Sequence, residues 1–152
     1  MPLSYSYMLS IFNTHLENGG KIHFTNKSII QRDFWNYFNR NKINSFYGVP
    51  YHYQLLAKNK FKFLTSKNLN YIANAGGKLD VNVVNALVDF CKKKKIYFFS
   101  MYGQTEASPR ISYLPLKFLK SKTESIGKGL PGTKIWIENE NKKKIIKPFV
   151  SG

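Results

Sequence analysis

The residues best suited to chemistry stand in two short loops, Asn74-Ala75-Gly76-Gly77-Lys78-Leu79 and Tyr102-Gly103-Gln104-Thr105-Glu106. Gly76 and Gly77 carry no side chain, so a flat ring or a phosphate can approach the backbone there. Tyr102 offers a stacking face, Thr105 a hydroxyl donor, and Glu106 a carboxylate of the kind that holds Mg²⁺. Singly, each has a plainer use: the glycine pair as a turn, Glu106 as a helix-start charge, Tyr102 as a packed core aromatic. His15 falls in an apolar helix, His23 in an alternating strand and His52 after a proline turn, all settings that suit structural roles. With Cys91 they show no zinc-site spacing. Gly127 to Lys134 places Lys and Thr in the wrong order for a phosphate loop and precedes a strand, so it reads as a structural turn.

Both loops follow predicted strands. Residues 7–16 form a helix stopped by Gly19-Gly20, and Lys21 to Thr25 alternates as a short strand. Asp33 caps a helix carrying Phe34, Trp35 and Phe38. Ser45 to Tyr47 is a strand reaching Gly48-Val49-Pro50, and a helix follows from Tyr51 to Lys58. Tyr71 to Ala73 is the next strand. Asp80 to Lys94 is a helix with Val81, Val84, Leu87, Val88 and Cys91 on one face, and Lys92 to Lys95 complement its dipole. Ile96 to Met101 is apolar throughout, the pattern of a parallel strand buried on both faces. Strand, helix, strand in this order predicts right-handed crossovers and an α/β fold, a layered parallel sheet with flanking helices. In such sheets ligands bind beyond the carboxyl ends of the strands, where both loops lie. After residue 132 the texture changes to the start of a β-rich part, with a strand from Thr133 to Ile137 and a hairpin turn at Asn139 to Asn141.

Composition sets the outer bounds. With 152 residues, 43% hydrophobic and 16% aromatic, the chain has enough apolar material to form a packed core and is not disordered. One cysteine excludes an internal disulfide framework and points to a reducing, cytoplasmic compartment. No run of apolar residues is long enough to span a membrane, and the start lacks the positive region of a secretory signal. The net charge of +16 invites a polyanion partner, but it comes from 21 Lys and only 3 Arg, alongside 15 Asn. Arginine supplies most bidentate phosphate and base contacts, and no aromatic-interleaved basic motif is present, so no specific nucleic acid is expected. Lys, Asn and Ile together are the composition that AT-rich coding DNA yields.

Taken in order, the loops resemble the adenylate-forming, AMP-binding superfamily of acyl-CoA synthetases, nonribosomal-peptide adenylation domains and luciferases. Leu3 to Leu9 is similar to its P-L-x-H-x-x-G-L segment and Gly48-Val49-Pro50 to its V-P-T turn. Ala75 to Leu79 resembles G-G-A-x-L, Tyr102 to Glu106 resembles Y-G-x-T-E, and Ser125 to Gly132 with Ile137 resembles G-x-x-G-x-P-x-P-G-x-x-x-x-I. The resemblance implies that Gly76, Gly77, Tyr102 and Gly103 hold the adenine of ATP or AMP. It further implies that Thr105 bonds the α-phosphate, that Glu106 ligates Mg²⁺, and that Tyr5, Tyr47, Gly48 and Ala75 line the pocket of a carboxylic acid. Thr105 and Glu106 are then the catalytic pair. Tyr5 departs from the family's His, keeping an aromatic wall without the imidazole, and Met8 replaces a common Gly.

The same resemblance implies parts that residues 1–152 do not include: a phosphate loop before Leu3, and a ribose-binding T-G-D aspartate and a C-terminal domain with its lysine beyond Gly152. The expectation is therefore a partial adenylation domain, inactive alone. It would be a fragment of an AMP-forming acid–thiol ligase working with polypeptides that supply the missing parts, with coenzyme A or a carrier-protein phosphopantetheine as acceptor. The other reading is a non-catalytic remnant of a split or incomplete gene. Under truncation, exposed apolar surface and unpaired strand edges are expected.

Overall fold

The computed structural model describes residues 1–64 and 66–141 and the backbone of 144–146. The first helix, α1 (Ser6–Glu17), buries only Tyr7 and Ile11, while Leu9 and Leu16 stay 47% and 56% exposed. Helix α2 (Arg32–Arg40) buries Trp35 and Phe38, and the indole N–H of Trp35 donates to the Ile29 carbonyl at 2.6 Å. The predicted Asp33 cap is not made. Gln31 is the N-cap, and Asp33 sits in the first turn, where it meets Lys27 at 3.5 Å.

Two crossover units follow. Strand β1 (Ser45–Gly48), helix α3 (Pro50–Lys58), strand β2 (Tyr71–Asn74), helix α4 (Val81–Lys94) and strand β3 (Tyr97–Gln104) alternate as expected. The three strands pair in parallel, with Phe46 opposite Ile72 and Ile72 opposite Phe98. Helix α4 starts where Asp80 Oδ1 accepts the backbone N–H groups of Asn82 and Val83, at 2.8 and 3.3 Å. These are two of the donors that a helix start leaves without a partner. It ends as Lys95 turns left-handed at φ +57°, letting the Ile96 N–H reach the Cys91 carbonyl at 2.9 Å. Val84, Leu87, Val88 and Cys91 are buried against the sheet, each stabilising by about 1.5–3 kcal/mol relative to exposure. Val81, one turn earlier, is 42% exposed and lies outside the predicted stripe's buried part.

The parallel half is extended by antiparallel strands, β4 (Ser108–Leu114) and β5 (Lys128–Gly129), giving the order β1-β2-β3-β4-β5. The α/β class therefore holds, with a mixed sheet in place of an all-parallel one. β3 runs on to Gln104 because its second half pairs with β4. Nor is β3 buried throughout: Phe98 is 2% exposed and Tyr97 68%. Helices α3 and α4 cover the face of Ile72 and Phe98, while Tyr47, Tyr71, Phe99 and Tyr113 form a row of edge contacts on the other face.

Two further expectations change. Lys21 to Thr25 is not a strand: the sheet stops at β1, so the segment has no ladder partner, and His23 packs on Tyr37 and Phe24 on Phe12 instead. The strand predicted from Thr133 is confined to β6 (Ile137–Glu138), which pairs antiparallel with β7 (Lys144–Ile146) around the turn. Residues 147–152 lie outside the described residues.

Candidate functional site

The parallel ladder sets the level of each loop. Gly48 pairs with Asn74 and Asn74 with Ser100, so Gly76 and Tyr102 each lie two residues beyond a paired position, at the same carboxyl edge. The Ala75 N–H donates to the Gly48 carbonyl at 3.3 Å and carries the chain into the glycine turn. Asn74 is buried at its base, with its amide donating to the Gly77 carbonyl at 3.3 Å, while its Oδ1 has no hydrogen-bond partner.

Gly76 has φ +80°, and a Cβ there would lie 2.1 Å from the Tyr5 hydroxyl and 3.4 Å from Val49. Its missing side chain thus admits the Tyr5 ring from a segment 71 positions earlier in the chain. Gly77 rests in the same way on Pro50. At the neighbouring turn between β3 and β4, the Thr105 hydroxyl meets the Ser6 hydroxyl at 2.9 Å. The start of α1, the Val49-Pro50 turn, the glycine loop and the β3–β4 turn are therefore joined through side-chain contacts.

Tyr102 is half-buried, and its hydroxyl accepts from the Gln104 amide at 2.6 Å. Gly103 lies at a register shift between β3 and β4, where a Cβ would be 2.2 Å from the Pro109 carbonyl oxygen. Strand packing alone requires glycine there. Glu106 does not start a helix. It stands exposed in the β3–β4 turn beside Thr105. Gly48, expected in the acyl pocket, is buried with its Cβ direction aimed at the Tyr53 ring 2.7 Å away. Lys78 pairs with Glu124, tethering the glycine loop to the segment before β5.

Tyr5, Tyr47, Met8 and Met101 pack around a small cluster of Tyr7, Ile11 and Ala75. Met8, Ile11 and Tyr47 also line a cavity of about 900 Å³ between α1, α2 and β1. The Tyr47 and Tyr71 hydroxyls share a hydrogen bond of 2.7 Å, and burial, then that bond, pushes the Tyr47 phenol far above its ordinary value. Burial likewise raises Tyr7, against the opposing pull of the Arg110 charge.

Arg110 was not legible as a site residue. Its Nε donates to Ser10 Oγ at 3.1 Å, and its Nη2 donates to the Ser10 carbonyl at 2.5 Å and to Thr14 Oγ1 at 2.8 Å, fastening β4 to α1. Its only sequence signal is being one of three arginines in a lysine-rich chain, four positions after Glu106. Ser6 gave no signal either, since its partner is 99 residues away.

Bare backbone, hydroxyls and a carboxylate gather at the carboxyl ends of parallel strands, the edge where open α/β sheets commonly bind ligands. The profile of the AMP-binding enzyme family matches residues 1–152, and the chain belongs to that family. Solved structures share the fold. The o-succinylbenzoate CoA synthetase MenE from Bacillus subtilis, in complex with the acyl-adenylate intermediate OSB-AMP, superposes with a TM-score of 0.78 at 22% identity, over 99% of this chain and 29% of that one. The N-terminal domain of FACL13 from Mycobacterium tuberculosis gives 0.79 at 14% identity, over 95% and 36%. VinN gives 0.76 at 22%, over 96% and 35%. The chain thus spans about a third of these structures' length. MenE has also been solved with ATP and magnesium ion. A comparison with curated proteins returns no match. Among the described residues no helix is long and apolar enough to cross a membrane.

Proposed function

We propose that the chain is a partial AMP-binding domain of an AMP-forming carboxylate–thiol ligase of the acyl-CoA synthetase kind. The observation that carries this reading is the joining of Tyr5, Ser6, Val49-Pro50, Gly76-Gly77 and Thr105 at one edge of the sheet. The bare backbone at Gly76 and Gly77, with the Tyr102 ring, holds the adenine. The unpartnered Asn74 Oδ1 is an acceptor that a purine amino group would satisfy. Thr105 donates to the α-phosphate, and Tyr5, Tyr47, Gly48 and Ala75 wall the acyl group.

Among the described residues no three His, Cys, Asp or Glu side chains cluster as a metal site. A lone exposed Glu106 fits Mg²⁺ nonetheless, because that ion is commonly held by one carboxylate plus substrate phosphates. When bound, it neutralises phosphate charge. In the overall reaction the substrate carboxylate oxygen bonds to the α-phosphorus of ATP as the bond to pyrophosphate breaks. The thiol of coenzyme A or of a carrier-protein phosphopantetheine then displaces AMP from the acyl carbon. Polypeptide segments carrying a phosphate loop, a ribose-binding aspartate and a lysine complete the site.

The test is carboxylate-dependent ATP–pyrophosphate exchange, measured on the chain alone and on the chain co-expressed with such segments. The chain alone is expected to be silent and the assembly active, with Glu106→Ala lowering exchange at least about a hundredfold, the scale of removing one transition-state charge stabiliser. An assembly that stays silent with every acid, or activity unchanged by Glu106→Ala, overturns the reading.

A further inference from the structure

The cavity beneath α1 has a lining of one sign. Arg110, Lys21, Lys27, Lys42 and three histidines contribute to it, and no Asp or Glu does. Lys27 is already paired with Asp33, and the lysines are flexible, strongly hydrated charges. Arg110 is different: it is half-buried and held by Ser10 and Thr14, and among the described residues no carboxylate pairs with it. A guanidinium held in place but lacking a counter-anion at a cavity wall is a ready partner for a carboxylate, since its Nη1 N–H donors stay free to make a charge-assisted hydrogen bond. Tyr47 and Tyr71 stand on the same wall. One donates its hydroxyl proton to the other, so the second keeps an O–H to give outward. Burial, then that bond, raises the Tyr47 phenol and keeps it protonated.

We infer that this cavity receives an anionic group on the far end of the acid being activated, with Arg110 as the specificity-determining cation. The substrate class is then a dicarboxylic acid or an acid bearing a second anionic group. This rests on the ligase reading for the direction of entry: Met8, Ile11 and Tyr47 belong both to the cavity and to the cluster around Ala75, which adjoins the glycine loop.

The test is direct binding to the chain, independent of turnover. With only three arginines, the Nε–H resonances of Arg32, Arg40 and Arg110 are few enough to assign by substitution. Titration with adipate and with hexanoate, of equal length and differing by one carboxylate, is expected to show adipate binding about tenfold or more tightly, with the Arg110 resonance shifting. Arg110→Lys should remove most of that preference. Ser10→Ala, which loses one tether and keeps the cation, should retain it and serves as the folded control. Equal binding of the two acids, or a preference unchanged in a folded Arg110→Lys chain, overturns the inference. The ligase reading fails by a different result, the absence of exchange with any acid in the completed assembly.

Discussion

The contact between Gly76 and Tyr5 can be dissected with two glycines of nearly identical φ. Gly76 has φ +80° and Gly132 has φ +81°, but a Cβ at Gly132 meets nothing within 4 Å, whereas one at Gly76 would be 2.1 Å from the Tyr5 hydroxyl and 3.3 Å from Tyr5 Cζ. Gly132→Ala should therefore cost only the left-handed penalty of an L-residue, about 1–2 kcal/mol. Gly76→Ala should add overpacking, about 1–3 kcal/mol. Removing the offending oxygen isolates the second part: Tyr5→Phe combined with Gly76→Ala should return to near the Gly132→Ala value. The differences are readable by urea unfolding, or by melting, where 1 kcal/mol is worth about 2–4 °C for a chain of this size. If Gly76→Ala costs no more than Gly132→Ala, or if Tyr5→Phe gives no rescue, Tyr5 does not occupy the space over the glycine loop and the joined site is wrong.

Two titrations give independent checks. Burial pushes the Cys91 thiol up to about 12, so at pH 8 on the order of one molecule in ten thousand carries a thiolate. A disulfide reagent should leave Cys91 unmodified in the folded chain and modify it within the unfolding transition; rapid modification without unfolding would contradict its burial. Burial also lowers His52 from its ordinary 6.5, and its Nδ1 accepts the Val49 N–H at 3.2 Å, which only the neutral ring can do. The folded value lies below the unfolded one, so this contribution is complete above about pH 6.5 and is lost as pH falls through that value toward the folded one. His52→Gln should flatten the pH dependence of unfolding free energy between pH 7 and 5; an unchanged slope would refute the assignment.

Much of the fold was legible where the signal is local. Helix α4 carried its period and its terminal lysines within 15 residues, and Val84, Leu87, Val88 and Cys91 of the predicted stripe are buried. The glycine loop was legible as composition after a strand, whereas Tyr102 to Gln104, read as loop, belong to β3 and only Thr105 and Glu106 stand in the turn. The failures are nonlocal. Lys21 to Thr25 alternates correctly, but a strand exists only beside another, and none is there. β4 begins Ser108-Pro109-Arg110, a poor strand start, and is fixed by pairing with an extended β3. The links that assemble the site, Ser6 to Thr105 and Arg110 to Ser10, join residues 99 and 100 positions apart and leave no trace in any short window.

That separation also orders events in time. Helix α1 is made before the arginine that fastens it, which lies on β4. At about 5–20 residues per second, roughly 5–20 s pass before Arg110 is made. Through that interval Tyr7 and Ile11 gain Tyr47 and then Ala75 to pack on, but no arginine ties the helix down, and Leu9 and Leu16 stay exposed. A twelve-residue helix is marginal in water by itself. The helix is thus fastened well after it is made, and its tether waits for the β3–β4 hairpin.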